Sequence, residues 1–188
     1  MVINMEIITF QMYWNQFRLL ENRMCELSDY VMISPRNNST FSNQFITMYL
    51  TVCSEIDSLA DDFCKELGVS DKERFGINNK MGNIIEKYPK MKNWSCKTKF
   101  PYEEINLVPF AKFEETQAAD WWKSYNLIKH KRTEQGEDGL YNYQRANLKN
   151  ILYSLSAFFI LLSKTKEELC PTFPIDITSQ FFEVDFMK

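Results

Sequence analysis

The sequence predicts a mainly α fold carried by a single domain over residues 1–188. Three observations lead there. Apolar residues recur three and four apart over long stretches, the spacing of a helix face. Only five glycines and six prolines interrupt 188 residues, too few for a loop-rich β architecture. No repeat, linker or low-complexity run divides the chain, and a hydrophobic content of 45% suffices for one sizeable core.

The elements follow in order. From Ile8 to about Leu27, the residues Phe10, Tyr13, Trp14, Phe17, Leu20, Met24 and Leu27 mark a first helix. DYVMIS is a short extended piece, and PRNNST is turn chemistry that ends in an N-cap candidate at Ser39 or Thr40. A second helix runs from about Phe41 to Leu67 and is stopped by Gly68. NNKMGNIIEKY (78–88) reads as a short helix closed by Pro89. The alternation of Trp94, Cys96, Thr98 and Phe100 reads as a strand, with INLVPF (105–110) as its partner. A helix beginning near Glu114 carries WWKSYNLIKHKR (121–132), and TEQGEDG (133–139) is an acidic turn. A last long helix has the stripe Leu148, Ile151, Leu152, Leu155, Phe158, Phe159 and Leu162, and FFEVDF alternates as a terminal strand. The result is a helical bundle with a small β insert.

Composition removes several function classes. A net charge of −3 and a pI near 5.4 leave no whole-protein attraction for nucleic acid or acidic membranes, so any such contact needs a local basic patch. The five cysteines form no C-x-x-C pair, and a single histidine accompanies them, which argues for reduced thiols and against a zinc site. MVINMEIITF lacks the basic start and long apolar run of a signal peptide. The most apolar window, ILYSLSAFFILL, is broken by serines and shorter than the ~20 residues of a membrane span. The expectation is a cytoplasmic protein with no membrane contact, no metal and no cofactor.

The sole histidine, His130, stands in a stretch that holds Lys123, Lys129, Lys131 and Arg132 and no acid. At about 3.6 residues per turn, Trp122, Asn126 and His130 stack on one another, with Lys129 beside them. Trp121, Tyr125, Ile128 and Arg132 form the neighbouring ridge. An imidazole flanked by an amide and a cation suits acid–base chemistry near neutral pH. The same residues also suit a buried central helix with one structural histidine, and that reading stands beside the catalytic one.

These residues carry a resemblance. YWNQFRLLENRM, DYVMIS, FITMYLTVCSEIDSLADDF, LVPF, WWKSYNLIKHKR and RANLKNILYSLSAFFILL together resemble an uncharacterised bacterial family with a W-W-x-x-Y-N-x-x-K-H-x-R motif. The order of two long helices, an insert, a motif helix and a last helix is similar to HEPN domains. Those are helical bundles that often dimerise, and many are metal-independent endoribonucleases of phage-defence and toxin–antitoxin systems. The resemblance therefore implies RNA, a second copy of the chain and a protein antitoxin as partners. It implies His130 as the acid–base residue, Asn126 as its orienter and Lys129 as a cation on the phosphate, with Lys123, Lys131 and Arg132 holding RNA. Where the family's motif has an arginine before the polar residue, this chain has Tyr125. A catalytically inactive interaction or dimerisation protein is the alternative that departure leaves open.

Two further stretches stand out. Glu55, Asp57, Asp61 and Asp62 lie on the second helix and read mainly as a solvated face, with Glu55 placed to approach His130 in a HEPN-like bundle. KYPKMKNWSCKTKF (87–100) is lysine-rich, acid-free and interleaved with Tyr88, Trp94 and Phe100. That composition suits single-stranded RNA, although a strand with buried aromatics and exposed lysines is the plainer expectation.

Overall fold

The structure, a computed structural model, describes residues 5–113, 117–174 and 176–185. Among them are five α-helices: α1 (Ile7–Ser28), α2 (Asn43–Glu66), α3 (Gly76–Lys87), α4 (Asp120–Lys131) and α5 (Leu148–Leu169). Three short strands, β1 (Ser95–Thr98), β2 (Asn106–Leu107) and β3 (Phe182–Asp185), form an antiparallel sheet in the order β2–β1–β3. The chain is therefore mainly helical with a small sheet. The sheet is not wholly an insert, because the tail supplies its third strand.

α5 is the axis of the fold. Residues Ile151 to Leu162 are buried nearly all round, with Tyr153 half-buried, since α1, α2, α4 and β1 all pack on this helix. Phe17 of α1 meets Phe158 edge-on at 5.8 Å and stacks on Phe159 at 5.0 Å. The serines inside this apolar helix return their hydroxyls to its own backbone: Ser154 to the Ile151 carbonyl, Ser156 to Tyr153 and Ser163 to Phe159. A buried hydroxyl costs little when so bonded. No helix among the described residues is long and apolar enough to cross a membrane.

Local chemistry fixes the helix ends. Ser42 caps α2 by accepting a hydrogen bond from the Phe45 amide at 3.1 Å, two residues beyond Thr40 and three beyond Ser39, the residues expected for that role. Gly68 ends α2 as expected. Its φ of +79° lets its own amide reach the Lys65 carbonyl while the Val69 amide reaches Cys64. Asn147 caps α5 through the Asn150 amide. The helix start expected near Glu114 lies outside the described residues, and the helix itself begins at Asp120. DYVMIS is a turn and bend, not an extended piece.

All five cysteines are free thiols, Cys25 half-buried and the other four buried. Burial pushes the Cys64 thiol up to about 11, so it is neutral at ordinary pH. The acidic run on α2 is not a simple solvated face. Lys80 of α3, itself buried, places its ammonium 2.9 Å from Asp57, while Asp61 holds Arg74 at 3.1 Å and Lys65 at 2.8 Å. Asp62 accepts the Tyr13 hydroxyl at 2.6 Å and joins α1 to α2.

Candidate functional site

α4 meets the rest of the protein through Trp121, Trp122, Tyr125 and Ile128, all buried. This is a spacing of one, three and four residues, and it fixes the helix rotation. The Trp121 indole donates to the Pro109 carbonyl at 2.9 Å. The Tyr49 hydroxyl of α2 donates to the Trp121 carbonyl. Tyr125 sits between Trp122, at 5.0 Å, and Tyr49, at 6.3 Å. The stack of Trp122, Asn126 and His130 is thereby split, because Trp122 points inward while Asn126 and His130 are exposed.

His130 occupies the last turn of α4. Among the described residues neither its ring nor the Asn126 side chain makes a hydrogen bond, so the two lie on the same face without the orienting contact expected of them. Lys129 is exposed, with its ammonium 5.5 Å from the centre of the Tyr125 ring. Lys131 reaches Glu134 at 3.2 Å, and Arg132 is exposed just beyond the helix. Lys123 lies toward the other end, 3.8 Å from Asp120. Glu55 does not approach His130. It lines a groove with Thr9, Met12, Tyr13 and Gln16 of α1, whereas α2 faces α4 through Tyr49. Burial raises the Glu55 carboxyl above its ordinary value.

Tyr125 stands where the resembled motif has an arginine. Its surroundings explain the residue type: it is only 5% exposed, in an aromatic cluster that suits a ring and not a guanidinium. Burial pushes its phenol up to about 12.

The turn after α4 is held by several hydrogen bonds and adds residues that the sequence did not single out. The Asn142 side-chain amide donates to the Lys131 carbonyl at 2.9 Å, and the Tyr143 amide donates to Arg132 at 3.1 Å. Arg145 clamps the loop from inside, 2.7 Å from Asp138 and 3.1 Å from the Asn142 side-chain oxygen. The ring of Tyr141 stacks on Tyr143 at 5.7 Å and 15°, and Tyr143 meets Phe41 edge-on at 5.8 Å. Tyr141 is 44% and Phe41 is 42% exposed. A ladder of three rings thus stands beside the cationic end of α4. The alternation Y-N-Y at 141–143 was its only sequence signal, and Phe41 arrives from another part of the chain.

The lysine-rich stretch 87–100 is divided by the fold. Trp94 is buried and Tyr88 half-buried, whereas Phe100 is 93% exposed, so one of the three aromatics departs from the plainer expectation. No group of three or more His, Cys, Asp or Glu side chains among the described residues is arranged to hold a metal ion. Comparison with protein-family models, with curated proteins and with solved structures finds no match.

Proposed function

We propose that this chain is a HEPN-like protein of phage-defence or toxin–antitoxin type that binds single-stranded RNA at the C-terminal end of α4. The observation that carries the reading is the ladder of exposed Tyr141, half-buried Tyr143 and exposed Phe41, bonded through the Tyr143 backbone to the end of the helix that bears His130, Lys129, Lys131 and Arg132. Rings take unpaired bases by stacking, and neighbouring cations take the phosphates. Lys123 extends the cationic path along the helix. In the cleaving form of the proposal, His130 takes the proton of a ribose 2′-hydroxyl, whose oxygen attacks the adjacent phosphorus. The bond to the 5′-oxygen then breaks, that oxygen leaves with a proton from water, and a 2′,3′-cyclic phosphate remains. Lys129 faces the phosphate charge in the role the missing arginine would have.

The test is a labelled single-stranded RNA, followed for binding by anisotropy and for cleavage on a gel. Wild type is expected to bind, and the affinity to fall about tenfold in Tyr141→Ala, a loss on the scale of one stacked base. His130→Ala is expected to bind as wild type does and to lose cleavage. Absence of binding by wild type overturns the proposal. Binding without cleavage by either form keeps the RNA-binding reading and removes its cleaving form, whereas inertness of both favours the alternative of an inactive interaction protein. That second reading has its own observation, the exposed row of Ile8, Met12 and Leu19 on α1, which a second copy of the chain would cover.

A further inference from the structure

A second cleft lies between the start of α4, the start of α5 and residues 108–112, away from His130. Its volume is about 220 Å³, smaller than the usual range for drug-sized ligands. Val108, Pro109 and Trp121 supply apolar wall. The polar edge of the Trp121 indole is spent on the Pro109 carbonyl, so the indole offers the cleft no donor.

The mouth carries an excess of positive charge. Asp120 is its one carboxylate among the described residues, held 2.6 Å from Lys112 and 3.8 Å from Lys123. The Lys112 contact, with the charges of Lys112, Lys123 and Lys149, keeps the Asp120 carboxyl below its ordinary value. Lys149 lines the same cleft but makes no ion pair among the described residues. One helical turn further along α5, the Tyr153 side chain also lines it and its hydroxyl makes no hydrogen bond there. Residues four apart share a helix face. An ammonium without an ion pair and a phenol without a hydrogen bond therefore share one face of α5 at this cleft.

We propose that this cleft binds a small amphiphilic carboxylate, a ring-sized apolar body with one anionic group. The body lies against Pro109, Val108 and Trp121. The carboxylate accepts from the Lys149 ammonium and the Tyr153 hydroxyl, which completes the charge balance that Asp120 alone does not. A charge-assisted pair of this kind gives orientation, and the apolar wall gives most of the affinity. The site stands independently of the RNA reading, because none of these wall or donor groups belongs to the proposed RNA surface.

The experiment titrates the protein with benzoate, with acetate and benzyl alcohol as the charge-only and body-only arms. It follows the Trp121 indole N–H and the first-turn amides of α5 in ¹H–¹⁵N spectra. Benzoate is expected to move these resonances with a Kd at least tenfold below either control. Lys149→Ala should weaken benzoate at least tenfold, Lys149→Arg should retain it, and Asp120→Asn should strengthen it by removing the competing carboxylate. Lys149 is exposed, so its variants remain folded, and unchanged RNA binding by Lys149→Ala separates this site from the other. Equal affinity for benzoate and benzyl alcohol, indifference to Lys149→Ala, or shifts spread away from the cleft would each overturn the proposal.

Discussion

Tyr125→Arg, which would restore the arginine of the resembled motif, is expected to unfold or severely weaken the protein. The native ring makes two aromatic contacts, with Trp122 at 5.0 Å and Tyr49 at 6.3 Å. Each such contact is worth roughly 0.5–1.5 kcal/mol beyond simple burial. The incoming guanidinium has no free counter-ion, because the nearby Asp57 already holds Lys80 at 2.9 Å. An uncompensated buried charge costs about 3–5 kcal/mol. The combined loss of about 4–8 kcal/mol rivals the whole stability of an ordinary domain, about 5–15 kcal/mol. Tyr125→Phe is the control, since the Tyr125 hydroxyl makes no hydrogen bond among the described residues, and it should stay within about 1 kcal/mol of wild type. Urea unfolding followed by tryptophan fluorescence measures both. A Tyr125→Arg protein with a wild-type midpoint would refute the packing argument, and one that also gained RNA cleavage would show the arginine to be merely missing.

Other expectations rest on buried polar groups. Lys80→Met should change stability by no more than about 1 kcal/mol in urea unfolding, since Asp61 keeps Lys65 and Arg74 and Asp57 is exposed enough to hydrate; a loss above about 3 kcal/mol would contradict this. Glu21, buried in α1, accepts from the Ser179 hydroxyl and from the Phe181 amide at 3.2 Å. Glu21→Ala should therefore speed hydrogen exchange at Phe181 and Phe182 at least tenfold while amides in the middle of α5 hold, and uniform protection would count against it. Burial and a bond to Asp62 raise the Tyr13 phenol, burial with a bond to Glu168 raises Tyr88 to about 12, and burial raises Tyr125 to about 12. The ordinary value is about 10. Between about pH 10 and about pH 12 only the unfolded chain ionises at these positions, so their stabilisation is complete below about pH 10 and is lost as pH rises through the folded values. Phenolate absorbance of the native protein should accordingly show a resistant fraction among the nine tyrosines, and a single ionisation step near pH 10 would exclude it.

Local pattern carried most of the architecture. Periodicity placed α1 and α2 within a few residues of their observed ends and located the start of α5 at Leu148, because a helix face repeats in the sequence itself. Period-two alternation found β1, and its pairing with residues 105–110 was legible because the two segments are close in the chain. Pairing of β1 with β3 was not legible, since residues 95–98 and 182–185 are joined only by the packing of everything between them. On α4 the sequence supplied the residues and their spacing but not the rotation of the helix. A 3.6-residue repeat allowed Trp122 to share a face with His130, and it was Tyr49, Pro109 and the aromatic cluster that turned both tryptophans inward and left Asn126 and His130 outside. The ring ladder beside them needed Phe41 brought next to Tyr143, and the carboxylate cleft needed Lys149 and Tyr153 set against Pro109. Spacing along one helix is a property of the chain. Which neighbour each face meets is decided by burial of apolar surface across the whole molecule, and only the folded structure states it.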